Sequence, residues 1–126
     1  MTGTDFAAWL AEMKASGLAK TDAACGRLLG IHKNSVLKLK LPSSTADKKT
    51  ALACAALLHN MAPYSSIAEA LNAVKAVGVA GTDREIAELL GAGVNSLAKL
   101  RSQKTVQRRW LLACRALVHR LEPVCE

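Results

Sequence analysis

Apolar residues recur at helical spacing from the start of the chain, and the same spacing returns 61 residues later. The first such stretch predicts a helix that begins near Asp5, taken as its N-cap, and ends at about Ser16, with Gly17 beyond it. Its counterpart is predicted to begin at Ser66 and to end at Gly78. The apolar positions that share one face are Phe6, Leu10 and Met13 in the first stretch and Ile67, Leu71 and Val74 in the second.

A second predicted helix begins in each copy at a Thr-Asp pair and ends at a Leu-Gly pair. The threonine hydroxyl can accept a hydrogen bond from a free N–H of the first turn, and the helix dipole favours the following aspartate. A small residue inside this helix, Gly26 or Ala87, allows close approach to the next helix. The two helices start at Thr21-Asp22 and Thr82-Asp83, and they end at Leu29-Gly30 and Leu90-Gly91.

A short third helix is predicted over residues 33–40 and 94–101. Its apolar residues recur at three-residue spacing and face inward, which leaves its polar residues facing outward. No acidic residue lies between Asp22 and Asp47 or between Glu88 and Glu122, so this outer face is polar and basic. The inward residues are Val36 and Leu39 in the first copy and Leu97 and Leu100 in the second.

A fourth helix closes each copy and is predicted over residues 46–61 and 107–121. Here the offset between the copies falls to 60, which indicates that one residue was gained or lost in the loop before this helix. The link between the copies, from Pro63 to Ser65, is too short to let them tumble freely. The prediction is an all-α fold with two tandem repeats of four to five helices, divided into domains 1–63 and 64–126.

The amino-acid composition favours helices, and it also gives the chain a net positive charge. Hydrophobic residues make up 51% of the chain and aromatic residues only 3%, so helices rich in Ala and Leu are expected to build the core. Residues 1–63 carry eight basic and four acidic residues, and residues 64–126 carry nine and six, which gives +4 and +3 of the total +7. Both halves are therefore expected to attract polyanions.

Two helices joined by a glycine turn, the second short and basic, form the pattern of a helix-turn-helix. An α-helix fits the major groove of DNA, where Asn can bond an adenine edge and Lys can reach guanine acceptors or phosphates. The predicted base-reading residues are Lys33, Asn34, Ser35, Lys38, Asn95, Ser96 and Lys99. The predicted phosphate contacts are Thr21, Thr82, Lys40, Arg101 and Lys104.

Each half resembles the DNA-binding domain of the lambda repressor and Cro family, also called the XRE family. The resemblance covers nearly the whole chain, twice. It rests on the Thr-Asp and Leu-Gly pairs and on the following residues: Gly26 or Ala87, the inward Val36 or Leu97, and the leucines Leu52, Leu57, Leu112 and Leu117 of the closing helices. It implies a compact all-helical fold and a regulator of transcription, most often a repressor, that occupies a double-stranded DNA operator.

Members of that family usually bind as twofold dimers, with half-sites about 34 to 36 Å apart. The resemblance therefore implies that this chain builds such a dimer within one molecule. Because His32 and Lys33 stand where the second copy has Gly93 and Val94, we expect an imperfect palindrome with one half-site read more strictly. Whether the second copy reads bases or only the backbone is left open, as is further homodimerisation through the last helices.

The remaining residue types indicate packing rather than chemistry. Cys54 and Cys114 occupy matching places, as small core residues in a reducing cytoplasm would. His59 and His119 follow them by five residues, a spacing poorly suited to one metal, so no metal or cofactor is predicted. The sequence contains no catalytic constellation and no apolar stretch near the roughly 18 residues that span a bilayer. We expect a cytoplasmic, nucleoid-associated protein that is not an enzyme.

Five large side chains have two interpretations each. Arg108, Arg109 and Arg115 are compatible with phosphate contacts and equally with a solvated helix face. Trp9 and Trp110 are predicted to lie in the core or at the contact between the halves.

Two rival function classes stay open beside the regulator. One is a protein-interaction module, such as an antirepressor that kept the fold and lost DNA binding. The other is an accessory DNA-architectural factor for recombination or replication. Salt-sensitive binding without sequence preference is expected of the second, and no binding at low salt is expected of the first.

Overall fold

The computed structural model describes residues 1–124 and is all-helical over that range. An isolated antiparallel bridge between Thr2 and Thr45 is the one β-pairing among these residues. The predicted all-α class is confirmed. The helices are α1 (Gly3–Ala15), α2 (Asp22–Leu29), α3 (Lys33–Leu39), α4 (Lys48–Leu58), α5 (Ile67–Ala76), α6 (Asp83–Leu90), α7 (Val94–Ser102) and α8 (Arg108–Val118).

The first helix begins earlier than predicted, because Thr2 and not Asp5 is its N-cap. The Thr2 hydroxyl oxygen accepts a hydrogen bond from the Asp5 N–H at 3.1 Å, and the Thr2 N–H donates to the Asp5 carboxylate at 3.0 Å. This reciprocal pair is a capping box, in which the third helical residue bonds back to the cap. Asp5 thus stabilises the helix start from inside the first turn.

The predicted starts and ends of α2 and α6 are confirmed, as is the predicted cap of α5 at Ser66. Gly30 and Gly91 follow α2 and α6 in left-handed conformations, with φ of 79° and 70°, which glycine adopts without steric cost. Three hydroxyl side chains cap α2, α5 and α6. Thr21 accepts a hydrogen bond from the Ala24 N–H at 3.1 Å. Ser66 accepts one from the Glu69 N–H at 3.2 Å, and Thr82 accepts one from the Glu85 N–H at 3.2 Å.

The closing helices are shorter than predicted. Asp47 caps α4 by accepting a hydrogen bond from the Thr50 N–H at 2.9 Å, so the helix starts after it. The other ends are set by Asn60 and Arg120, which adopt left-handed φ values of 57° and 55° just beyond the two helices. A left-handed residue cannot continue a right-handed helix, and this ends α4 and α8 several residues before the prolines.

One hydrophobic core runs through both parts of the described chain. Helix α4 packs against α8, and α5 also packs on α8. Residues 50–57 of α4 are all buried, and six of these eight are Thr, Ala or Cys, whose small side chains permit close packing. The predicted apolar faces of α1 and α5 are buried as expected: Phe6, Leu10, Met13, Ile67, Leu71 and Val74.

Contacts between residues 1–63 and residues 64–124 recur in reciprocal form. A Cβ on Gly30 would lie 2.9 Å from the Cβ of Arg108, the first residue of α8. A Cβ on Gly91 would lie 3.1 Å from the Cβ of Lys48, the first residue of α4. Each glycine turn therefore packs against the start of the closing helix that lies in the other part of the chain.

The next residues of the closing helices repeat this exchange. The Arg109 guanidinium donates to the Thr50 hydroxyl at 3.2 Å, and the Lys49 ammonium lies 4.6 Å from the centroid of the Trp110 indole. In both cases the second residue of one closing helix reaches the third residue of the other. The prediction that Trp110 lies in the core or between the halves is confirmed.

Two of the arginines whose role the sequence leaves open form contacts within the protein. Arg108 donates to the Leu28 carbonyl at 3.0 Å. Arg115 stacks 3.8 Å from the centroid of the Tyr64 ring and donates to the Ala62 carbonyl at 3.1 Å. Both arginines hold elements of the described chain together.

The cysteines and the other tryptophan also lie in the interior. Cys54 and Cys114 are buried free thiols, and burial raises the pKa of Cys114 to about 12. Trp9 donates its indole N–H to the Cys54 carbonyl at 3.1 Å. Cys125 lies outside the described residues. Over residues 1–124, none of the helices combines the length and the apolar character that crossing a bilayer requires.

Candidate nucleic-acid interface

The candidate interface begins with α3, a short helix that follows the Gly30 turn. His32 is its N-cap and accepts a hydrogen bond from the Asn34 N–H on Nδ1 at 3.1 Å. Val36 is fully buried and anchors the helix on the core. The exposed residues on the opposite side, which we name the α3 face, are Lys33, Asn34, Leu37 and Lys38.

Helix α7 occupies the matching place after the Gly91 turn. Leu97 and Leu100 are buried and anchor it, as predicted. Gly93 is its N-cap and supplies no side-chain hydrogen bond, in contrast to His32. The exposed residues on its outer side, which we name the α7 face, are Val94, Asn95, Ala98 and Lys99.

An ion-pair cluster around Asp22 ties α3 to the two helices before it. The carboxylate lies 2.8 Å from the Lys14 ammonium of α1 and 2.8 Å from the ammonium of Lys40, which follows α3. The hydrogen bond from Lys14, and then the one from Lys40, lowers the pKa of the Asp22 carboxyl. The orientation of α3 is therefore fixed by charge as well as by Val36.

The same cluster recurs around Asp83. Its carboxylate lies 2.8 Å from the Lys75 ammonium of α5 and accepts two hydrogen bonds at 3.0 Å from the Arg101 guanidinium of α7. The bonds from Arg101 and Lys75 lower the pKa of Asp83 to about 2. All three positions match those of the Asp22 cluster at the offset of 61.

These clusters engage two of the predicted phosphate-contact residues. Lys40 and Arg101 direct their charges at aspartates within the protein, and each is about two-thirds shielded from solvent. Lys104 is exposed and lines a cavity of about 380 Å³ between the start of α5 and the loop after α7. Three of the five predicted phosphate contacts are cations, and of these Lys104 forms no ion pair with a residue in the part of the chain that the structure describes.

The outward lysines differ from the inward ones. Lys33, Lys38 and Lys99 are exposed, and none forms an ion pair with a residue in the range 1–124. No acidic residue occurs in residues 23–46 or 89–121, so the nearby sequence offers no neutralising partner. Ser35 is exposed beside the α3 face, whereas Ser96 is only partly exposed.

The two predicted threonine contacts lie in different surroundings. Thr21 caps α2, and its hydroxyl accepts from the Ala24 N–H. Thr82 caps α6, but the Glu85 carboxylate lies 3.3 Å from its hydroxyl and also accepts from the Gly81 N–H at 3.3 Å. A carboxylate thus occupies the α6 N-terminus, where it would repel a phosphate. Of the two threonines, Thr21 is therefore the better placed to contact a phosphate.

Sequence reasoning overlooked two residues at this interface. Glu85 at the start of α6 was readable, because it follows Thr82 by three residues as in a capping box. Leu37 is exposed although it is apolar, and it stands four residues after Lys33 on the same side of α3. The helical spacing that placed Val36 inward would also have placed Leu37 outward.

Comparison of the chain with protein-family models, with curated proteins and with solved structures gives no match. In the part of the chain that the structure describes, no three His, Cys, Asp or Glu side chains are grouped closely enough to hold a metal ion. The geometry and charge of the α3 and α7 faces are therefore the features that indicate a function.

Proposed function

We propose that this protein is a sequence-specific regulator of transcription, acting as a repressor, that binds double-stranded DNA. It inserts α3 and α7 into successive major grooves. The observation that carries the proposal is the division of charge on these helices. Inward cations are paired with Asp22 and Asp83, whereas the outward Lys33, Lys38 and Lys99 are left for an external anion. Exposed lysines beside exposed asparagines suit the base edges of a major groove.

The proposal includes two tandem repeats with one helix-turn-helix each. Its support is the recurrence of local geometry at the offset of 61. Threonine caps, left-handed glycines and three-helix ion-pair clusters occupy equivalent positions in both parts of the described chain. Independent segments would have no reason to share all three features.

The proposal also includes an intramolecular pseudo-dimer. Its support is the reciprocity of the contacts between the two parts. Gly30 meets Arg108 as Gly91 meets Lys48, and Arg109 reaches Thr50 as Lys49 reaches Trp110. Reciprocal contacts of this kind characterise an isologous, twofold interface. A twofold arrangement would present α3 and α7 to a palindromic site in equivalent ways.

The expected operator is an imperfect palindrome, because the two faces differ. Lys33 on the α3 face stands where the α7 face has Val94, and the His32 cap stands where α7 has Gly93. A helix start without a side-chain cap is less well fixed. We expect stricter reading of the half-site that α3 contacts.

The test selects bound duplexes from a random pool and measures the affinity of the purified full chain for the winner across a salt series. A regulator is expected to enrich one sequence strongly, with log K falling linearly against log salt. Lys38→Gln and Lys99→Gln should each reduce the steepness of that line by about 0.9, since each removes one phosphate or groove cation.

Arg120→Gln is the matched control, because Arg120 lies beyond the end of α8, where its guanidinium donates to the Val77 carbonyl at 2.9 Å, whereas it is the start of α8 that meets the Gly30 turn. It should leave the salt slope unchanged. Salt-dependent binding without an enriched sequence would instead identify a DNA-architectural factor. Absence of binding even at low salt would overturn the proposal in favour of a protein-interaction module.

A further inference from the structure

Two large apolar side chains lie on the proposed DNA-binding faces. Leu37 is 57% exposed on the α3 face, and Val94 is 46% exposed on the α7 face. Exposing such side chains to water is unfavourable, and burying a single methylene group is worth about 0.8 kcal/mol. Covering either side chain with a partner would therefore lower the free energy of the complex.

The internal repeat indicates that the fold does not require either side chain. The residue that corresponds to Leu37 is Ala98, and the one that corresponds to Val94 is Lys33. In both pairs the same helix forms in the same surroundings with a different side chain. The apolar groups at Leu37 and Val94 are therefore available for a role in binding.

The surroundings of these side chains define the chemistry of the partner. Leu37 lies between Lys33, Asn34 and Lys38 on one side of a helix that lacks nearby acidic residues. A partner must then combine negative charge, polar groups and a small apolar group within the reach of one helix face. The major groove of DNA combines all three where it contains thymine, because the thymine C5-methyl group projects into that groove.

We propose that Leu37 and Val94 contact thymine methyl groups, one in each half of the bound site; this inference rests on the proposed DNA-binding function. Leu37 lies in the second turn of α3, and Val94 is the first residue of α7. The contacted thymines therefore fall at different positions in the two half-sites. The two halves of the operator differ in where a thymine is required.

The experiment uses the duplex that the full chain selects from a random pool. Each thymine is replaced in turn by deoxyuridine, which lacks only the C5-methyl group and keeps the hydrogen-bonding edge. The wild-type chain is expected to lose about fourfold in affinity at one thymine in each half-site, the change that corresponds to one buried methyl-sized group.

The variants assign each effect to one side chain. Leu37→Ala should bind the unmodified duplex about fourfold or more weakly and lose its sensitivity to deoxyuridine in one half-site only. Val94→Ala should do the same in the other half-site. Val77→Ala is the matched control, because Val77 is an exposed apolar residue just beyond α5, where its carbonyl accepts a hydrogen bond from Arg120 after the end of α8. It should retain the full wild-type pattern.

Two outcomes separate this inference from the proposed function. Sequence-specific binding that ignores every deoxyuridine substitution, or that keeps its sensitivity in Leu37→Ala and Val94→Ala, overturns the inference and leaves DNA binding intact. Failure of the wild-type chain to bind any duplex at low salt overturns both. Far-ultraviolet circular dichroism and thermal unfolding of each variant show whether a weaker affinity reflects the face or the fold.

Discussion

Asp22 and Asp83 each have two roles, one at the start of a helix and one at the centre of an ion-pair cluster. The sequence places both after a capping threonine, where the helix dipole favours an acid, and the structure confirms that position. Their larger role, as centres of three-helix ion pairs, was not predicted. Their partners lie eight residues before and eighteen after them, and only the recurrence of a cation at those two places hinted at the cluster.

We expect Asp83→Asn to lower the free energy of unfolding by about 1 kcal/mol at neutral pH, because two ion pairs lose their acceptor charge. The pKa of Asp83 is lowered from 3.8 to about 2, so its contribution is complete above about pH 4 and disappears as the pH falls towards 2. Urea unfolding of the wild type and the variant at several pH values measures this difference.

Glu88→Gln serves as the control for that experiment. Glu88 is exposed and lies 3.8 Å from Arg84 in a single pair along α6, which is worth little. Its removal should change the unfolding free energy by less than about 0.5 kcal/mol. A difference between wild type and Asp83→Asn that stayed constant down to pH 2 would contradict the assigned role of Asp83.

At the scale of elements, the packing of α2 on α3 differs from that of α6 on α7 through one matched pair of residues. A Cβ on Gly26 would lie 2.7 Å from the Val36 Cγ2 atom and 3.2 Å from the Ile31 carbonyl oxygen. The second copy has Ala87 and Leu97 at these places, and both are buried. Leucine lacks the branch at Cβ that brings a methyl group against the preceding helix.

We therefore predict that Gly26→Ala destabilises the protein by about 1 kcal/mol. Overpacking costs about 2 kcal/mol, and the better helix propensity of alanine returns about 1 kcal/mol. The double variant Gly26→Ala, Val36→Leu copies the second repeat and should recover most of that loss. Chemical denaturation of the single and double variants measures the coupling; additive effects would rule out the proposed contact.

The helices themselves were largely predictable from the sequence, because their starts and ends depend on neighbouring residues. Thr21, Ser66 and Thr82 were recognised as caps, and Gly30 and Gly91 as turns. The errors lie where two local signals compete. The sequence favours Asp5 over Thr2 as the cap of α1, although the two form one capping box, and it extends α4 past the left-handed Asn60. Left-handed Asn60 and Arg120 carry no sequence signal as clear as glycine.

At the scale of the molecule, sequence predicted that the two halves pack together but not which surfaces meet. Ala55 of α4 is buried, whereas the matching residue of the second half, Arg115, stacks on the Tyr64 ring. The reciprocal contacts of Arg108 and Lys48 with glycine turns depend on residues 78 and 43 positions apart, too distant for spacing rules. The sequence placed Lys33, Asn34, Lys38, Asn95 and Lys99 outward as the structure has them, but it missed Leu37, and Ser96 is only partly exposed. Lys40 and Arg101 are paired internally.

The continuous core predicts one cooperative unfolding transition. Trp9 is buried among residues 1–63, and Trp110 of α8 lies at the contact with α4, so fluorescence of a Trp110→Phe variant reports mainly the first part of the chain. Its fluorescence and its circular dichroism are expected to change at the same urea concentration. Two separated transitions would show that the parts fold independently and that the α4–α8 contact contributes little.

The packing of α4 on α8 within one polypeptide also affects how the protein behaves on dilution. Repressors assembled from separate subunits lose their paired form when their concentration falls below the dissociation constant of the dimer. Here residues 59–66 connect α4 to α5 within one chain, which keeps α8 near α4 at a local concentration on the order of millimolar, whatever the number of molecules in the cell. Under the proposed function, occupancy of a DNA site would therefore follow the first power of protein concentration, because one molecule would carry both recognition helices.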